Sequence, residues 1–98
     1  MFEIDHGEEG IVVVSGRLDA AQSGTAQAFL DNVQGAVTLD CRKLEYISSA
    51  GLGVILKTQK RLTAAQGKLR LSGVSHHLHD VFKYAGFDRI IEIESSTP

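Results

Sequence analysis

Glu45-Tyr46-Ile47-Ser48-Ser49-Ala50-Gly51-Leu52-Gly53-Val54-Ile55-Leu56 places two adjacent hydroxyls immediately before a run with helical character. Ahead of it, Val37-Thr38-Leu39-Asp40 reads as a buried strand. The serines therefore stand where a strand hands over to a helix. A hydroxyl there has two available roles. It can accept a hydrogen bond from an otherwise unpaired backbone N–H and cap the helix. It can also be a modification site, because connecting loops are open to other proteins and a helix N-terminus tolerates negative charge.

Working outward toward the N-terminus, Ala36 to Cys41 forms the strand that feeds this stretch, and Arg42 to Tyr46 leads from it into the serines. Before it, Ala20 to Asn32 reads as a helix with Ala26, Phe29, Leu30 and Val33 at helical spacing. Asp19, three residues before Gln22, has the pattern of its N-cap. Ser23-Gly24 weakens the start of this helix, since an interior glycine costs about 1 kcal/mol. Gln34-Gly35 ends it. The β-branched run Ile11-Val12-Val13-Val14, continuing through Ser15-Gly16-Arg17-Leu18, predicts a strand covered on both faces. Phe2-Glu3-Ile4-Asp5 alternates as a half-buried strand does, and the polar turn His6 to Gly10 joins the two as a hairpin.

Toward the C-terminus, Ala50 to Gln66 predicts a long helix stopped by Gly67. At about 100° per residue, Leu52, Ile55, Leu56 and Leu62 share one face, with the unexplained Gln59 near its middle. Ala50, Val54, Lys57 and Arg61 fall on the opposite, outward side. Lys68 to Val74 is an alternating strand, and Ser75 caps a third helix from His76 to Ala85 with Leu78, Val81, Phe82 and Ala85 as its apolar stripe. Gly86 stops that helix, Ile90 to Ile93 is a last strand, and Ser95 to Pro98 a frayed tail. The order β-β-α-β-α-β-α-β predicts one α/β domain over residues 1–98, with a mixed, largely parallel sheet. Asp19 and Ser48/Ser49 then both lie at carboxyl ends of strands, where sites gather in open α/β sheets. If their strands are neighbours, they share a surface.

Composition excludes several classes of function. The 98 residues are 43% hydrophobic and 22% charged with a formal net charge of −2, so nothing favours a nucleic-acid backbone or an anionic membrane as partner. No apolar run approaches the roughly 20 residues needed to span a bilayer. The N-terminus lacks the features of a signal peptide, and the lone Cys41 cannot form an intramolecular disulfide. The expectation is a cytoplasmic protein.

No catalytic set emerges. Ser49 lacks the G-x-S-x-G setting of a hydrolase nucleophile. His76 and His77 point about 100° apart on a helix, so the histidine-rich helix start reads as solvated, although His76 and His79 could share a metal. Cys41 reads as a small buried strand residue and Asp40 as a structural turn-former. Gly51 and Gly53 lack the third glycine and the lysine of a phosphate loop.

The run Leu39-Asp40-Cys41-Arg42-Lys43-Leu44-Glu45-Tyr46-Ile47-Ser48-Ser49-Ala50-Gly51-Leu52-Gly53 resembles the signature of STAS domains, specifically of bacterial anti-sigma-factor antagonists. The resemblance extends to Ser15-Gly16-Arg17-Leu18-Asp19, to Gly67 through Val74 and to Val81 through Phe87, and so covers essentially the whole chain. Ser48 stands where that family usually has Asp, Ser49 matches its first hydroxyl, and Ala50 stands where many members have a second. The resemblance implies a non-enzymatic partner-switching protein without a cofactor of its own. The unmodified antagonist binds a serine kinase that doubles as an anti-sigma factor. Phosphorylation at the helix start, on Ser49 or alternatively Ser48, dissolves the complex, and a PP2C-type phosphatase restores it. The partner surface expected on this basis comprises Asp19, Ala20, Ser23, Ser48, Ser49, Val54, Lys57 and Arg61. A scaffold subunit of the same fold, in a lipid-transport or stress-sensing complex, is the alternative.

Overall fold

The structure is a computed structural model that describes residues 1–95. Five strands, β1 (Phe2–His6), β2 (Ile11–Leu18), β3 (Ala36–Ile47), β4 (Lys68–Val74) and β5 (Glu92–Ser95), alternate with three helices, α1 (Ser23–Leu30), α2 (Ser49–Ala64) and α3 (His76–Tyr84). The sheet order is β1-β2-β3-β4-β5, with β1 antiparallel to β2 and every later pair parallel. This is the mixed, largely parallel sheet that the sequence implies.

Each crossover moves one strand in the same direction. Right-handed crossovers that never reverse leave all their helices on one face. Burial agrees with this. Val12, Val14 and Leu18 of β2, Val37 and Leu39 of β3, and Leu69 and Leu71 of β4 are buried, while the intervening Ile11, Val13, Thr38, Arg70 and Ser72 are half-exposed. The sheet thus has one covered face and one bare face. The continuous apolar run of β2 does not reflect cover on both sides. Its β-branched residues fit a pleated strand on either face. The buried residues form a single core running from Val12 and Val14 through Leu39 and Leu71 to Phe82 and Phe87.

Several boundaries differ from the sequence reading, among them both ends of the long helix, which runs Ser49–Ala64 rather than Ala50 to Gln66. Helix α1 begins at Ser23 rather than Ala20. Asp19 instead closes a turn, its Oδ1 accepting from Gln22 N at 3.1 Å, and Ser23 Oγ donates to Ala20 O at 2.8 Å. Such local side-chain bonds offer the backbone an alternative to helix. The C-terminal end of α1 also comes early, at Leu30. Strand β3 runs on through Arg42 to Ile47 instead of ending at Cys41. It carries one extra residue between the pairs Val13–Asp40 and Ser15–Lys43, and another between Gly16–Leu44 and Arg17–Tyr46. Asp40 locks the first bulge, its Oδ1 accepting from Arg42 N at 3.1 Å while the Arg42 guanidinium forks onto both carboxylate oxygens. The turn-forming role expected of Asp40 is therefore carried out inside a strand. Finally, Phe87–Arg89 is a 3₁₀ turn, and β5 starts at Glu92 rather than Ile90. Of the tail expected at Ser95 to Pro98, Ser95 ends β5, and residues 96–98 lie outside the described residues.

The long helix is rotated relative to the expectation. Its buried residues are Gly51, Val54, Ile55, Thr58 and Leu62, whereas Leu52 and Leu56 are only half-buried. Val54, expected on the outward partner surface, is 5% exposed and part of the core. Counting leucines displaced the face, because its centre is held by a glycine and a threonine. Thr58 is buried at no hydrogen-bonding cost, since its Oγ1 donates to Val54 O at 2.9 Å. Arg61 is a second correction. Its Nη2 donates to Leu30 O and Val33 O at 2.7 Å each, closing the C-terminal end of α1 rather than facing a partner. A cation there also meets the negative end of the helix dipole. Gln59, half-buried, ties α2 to the chain after the 3₁₀ turn through Ile90 O at 3.3 Å. In α3, Ser75 caps as expected, its Oγ accepting from Leu78 N at 3.3 Å. Ala85 lies past the helix end and is exposed rather than part of the stripe.

Candidate functional site at the head of the second helix

Strand register brings the two halves of the site together. Leu18 pairs with Ile47 across β2 and β3, so the residues that follow, Asp19 and Ser48, leave the sheet side by side. Ser48 N donates to Leu18 O at 2.9 Å, which ties the two loops directly. Gly51 makes the approach possible. A Cβ there would lie 2.7 Å from Ile47 Cγ1 and 2.8 Å from Leu18 O, so only glycine lets the first turn of α2 sit this close to the end of β2. Gly53, two residues on, has nothing within 4 Å of where a Cβ would be. The two glycines of the motif thus have different reasons. One serves packing, and the other leaves the outer surface of the helix bare.

The adjacent serines divide the two roles left open by the sequence. Ser48 is the N-cap, in extended conformation, and its Oγ accepts from Gly51 N at 3.2 Å. Its hydroxyl is half-buried and engaged. Ser49 is the first residue of the helix, is exposed, and its hydroxyl makes no hydrogen bond among the described residues. A free hydroxyl at the first helical position is accessible, and a charge placed on it faces the unpaired N–H groups of the first turn.

Around this point Ala20 is exposed and Asp19 and Ser23 are half-buried. Lys57 is exposed on α2. The structure therefore brings Asp19, Ser48 and Ser49 to one end of the sheet, with Ala20 and Ser23 in the turn that follows Asp19. It leaves Lys57 on the adjoining helix surface, and removes Val54 and Arg61. Three residues absent from the sequence-based surface, Gly53, Leu56 and Lys60, lie with Ser49 on the outer crest of α2. Ser49, Gly53, Leu56 and Lys60 are spaced i, i+4, i+7 and i+11 and so share one line along the helix. Leu52 flanks it, half-exposed. That spacing was available in the sequence, but it was masked by assigning Leu52 and Leu56 to the core.

Cys41 is 1% exposed, and burial, followed by the Asp40 charge, pushes its thiol up to about 12, so it stays protonated and inert. His76 is exposed, 3.8 Å from Asp80, and among the described residues no group of three or more His, Cys, Asp or Glu side chains gathers as a metal-ligand set. A surface concavity of about 480 Å³ lies at the β1 edge beside Phe2, Ile4, Thr25 and Lys43, and neither Ser48 nor Ser49 lines it. Among the described residues no helix is long and apolar enough to cross a membrane.

A mixed sheet covered by helices on one face is the fold this chain shares with a solved STAS-domain structure. The family described as Mlab, STAS domain matches residues 2–92, and the chain belongs to this STAS domain family. Among curated proteins, the chain is similar to BtrV of Bordetella bronchiseptica, provisionally described as an anti-sigma factor antagonist, with 36% identity over 88% of this chain and 78% of that protein. It is also similar to the anti-sigma-B factor antagonist of Listeria monocytogenes, with 33% identity over 86% of this chain and 77% of that one. Among solved structures it resembles the Bacillus cell-fate determinant SpoIIAA in its phosphorylated form. That match has a TM-score of 0.70 and 20% identity over 95% of this chain and 90% of that chain, and it speaks for the fold alone.

Proposed function

We propose that this chain is a cytoplasmic, single-domain anti-sigma-factor antagonist that works by partner switching. Unphosphorylated, it docks on a serine kinase that doubles as an anti-sigma factor. Phosphorylation of Ser49 breaks the complex, and a PP2C-type phosphatase resets it. The names of the curated relatives support the general role. The observation that carries the acceptor assignment is the division of labour between the serines. Ser48 Oγ is occupied as the N-cap, while Ser49 Oγ is exposed and free.

The energetics are consistent with a switch that spares the fold. A phosphate adds about −1.5 to −2 charge. At the head of a 16-residue helix it meets the positive end of the dipole, so the domain should stay folded. A docked interface must instead desolvate that dianion or supply cations for it. Binding of the kinase to Ser49→Ala, Ser49→Asp and the parent tests this reading. Ser49→Ala should bind persistently and take up no phosphate, and Ser49→Asp should bind more weakly. Equal binding by all three contradicts it.

A second reading is a constitutive scaffold subunit in a larger assembly, such as a lipid-transport or stress-sensing complex, in which both serines serve structure alone. The matching family description, which names Mlab rather than an antagonist, favours it. Stable co-purification with a partner that is not a kinase, with no phosphate on the chain, would decide for it.

A further inference from the structure

Strand β1 is an edge of the sheet, with β2 on one side and no strand on the other among the described residues. At the two ends of its ladder Gly7 N donates to Ile11 O and Arg17 N to Met1 O, and hydrogen-bonded pairs alternate along an antiparallel ladder. Glu3 and Asp5 therefore turn their backbone groups toward β2, while Phe2, Ile4 and His6 turn theirs outward. The His6 amide donates to Asp5 Oδ1 at 2.8 Å, and the outward groups of Phe2 and Ile4 have no partner among the described residues. Side chains alternate as well. Phe2 and Ile4, half-buried, pack on the core face, and Glu3 and Asp5 are exposed on the bare face. The concavity of about 480 Å³ wraps this edge, lined by Phe2, Ile4 and Thr25 on one side and by Glu3, Asp5 and Lys43 on the other. No cation, Lys43 included, lies within salt-bridge distance of Glu3 or Asp5 among the described residues. The opposite edge differs, because the β5 carboxylates of Glu92 and Glu94 are held by Lys68 and Arg70.

We propose that the β1 edge takes up an extended segment of a partner protein in which apolar residues alternate with lysine or arginine, so that the partner adds a strand to the sheet. Main-chain hydrogen bonds to the free groups of Phe2 and Ile4 supply the affinity of such an addition, and alternate side chains supply its specificity. On the core face the incoming apolar residues extend the row of Phe2 and Ile4 beside Thr25. On the bare face the incoming cations meet Glu3 and Asp5, and opposite charges on facing strands stabilise a pairing that like charges oppose. A second copy of this chain is the wrong occupant for that reason. Pairing Phe2 with Ile4, or Ile4 with itself, sets Glu3 against Glu3 or against Asp5 of the other copy. The first ten residues hold Glu3, Asp5, Glu8 and Glu9 and neither Lys nor Arg, which carries the same negative field on into the hairpin turn. None of the residues lining this edge belongs to α2, and the inference does not depend on the partner-switching reading.

The test uses the full chain and end-blocked peptides as probes: alternating valine and lysine, alternating valine and glutamate, and the valines and lysines of the first gathered into two blocks. Hydrogen exchange at the Ile4 amide reads occupancy of the edge directly. The alternating valine–lysine peptide should slow it about tenfold or more, and the other two should change it less than about twofold. Glu3→Lys/Asp5→Lys should reverse the preference between the lysine and glutamate peptides, a reversal that only a folded variant can show. N-methyl groups on every second residue block one side of the peptide backbone. They should abolish protection when placed on one alternate set and spare it when placed on the other, because only one set faces β1. Protection by the blocked-sequence peptide, or the same effect from both methylated sets, reduces the contact to charge attraction and overturns the inference. No protection by any peptide means that the acids only guard the edge against pairing, and it overturns the inference too. Protection that rises with the concentration of the protein alone assigns the edge to a second copy, with the same consequence.

Discussion

The bare face of the sheet and the crest of α2 are both exposed and both charged, and they use that charge in opposite ways. On the sheet, Arg70 lies 3.0 Å from both Glu92 and Glu94, and Asp40 holds Arg42 at 2.7 Å. These groups answer one another and fix strand positions. On the crest, Lys57, Lys60 and the Ser49 hydroxyl have no such partners among the described residues. Self-satisfied charges stabilise a fold, whereas unsatisfied ones are available to something else. The contrast predicts that substitutions in these sheet networks or under the sheet change stability, and that substitutions on the crest change binding.

The largest effect should come from the seat of α2. Gly51→Ala places a Cβ against Leu18 O and Ile47, and thermal melting should show a loss of about 2 kcal/mol or more despite the better helix propensity of alanine. A stable Gly51→Ala variant would mean that the helix head is not held against β2 as described.

The bare face provides the next test. Hydrogen bonds from Arg42 hold the Asp40 carboxyl below its ordinary value, against the opposing effect of burial. A carboxylate with a depressed folded pKa adds stability that is present above its unfolded pKa and lost as pH falls through the folded one. Asp40→Asn should therefore cost about 1–2 kcal/mol near neutral pH. Denaturant titrations should show the gap to the parent closing as the pH drops below the usual carboxylate range. A gap that persists in strong acid would assign the cost to packing instead of charge.

Smaller still is the contrast between neighbours. Ser48→Ala removes a cap and should cost about 1 kcal/mol, or roughly 4–8 °C in Tm for a domain of this size. Ser49→Ala should leave Tm nearly unchanged. Equal losses would erase the distinction between cap and acceptor. The smallest effect is a gain. Gly53→Ala adds a methyl where nothing lies within 4 Å and should raise stability by about 0.5–1 kcal/mol. If the crest is an interface, the same methyl should weaken kinase binding.

Much of this arrangement was legible in the sequence. The element order and the largely parallel sheet follow from strand-and-helix periodicity together with the crossover rule, whereas the convergence of Asp19 with the serines is conditional on β2 and β3 being neighbours, which the pairing of Leu18 with Ile47 supplies. The misreadings share a cause. Periodicity of apolar residues identifies a buried face only when that face is made of apolar residues. In α2 the centre of the face is Gly51 and Thr58, so the apolar pattern alone points Val54 outward and Leu56 inward, the reverse of their burial. Arg61 looked solvent-facing because of its charge, yet its stem crosses to carbonyls 28 and 31 residues earlier in the chain, a long-range partner that no local pattern announces. Strand β3 ran six residues past its expected end because two bulges break its alternation while the pairing with β2 continues. Within the motif, the resemblance favours Ser49 over Ser48 as acceptor but does not say which serine caps the helix, and the hydrogen bond from Gly51 N together with the difference in exposure gives that role to Ser48.

The central claim is that Ser48 holds the helix while Ser49 takes the phosphate. Intact-mass measurement followed by peptide mapping, on the protein recovered from its own cells with phosphatases inhibited, tests it most directly. The account predicts a single phosphate on the peptide containing both serines, with fragment ions placing it on Ser49. Phosphate on Ser48, or none under any growth condition, would contradict it.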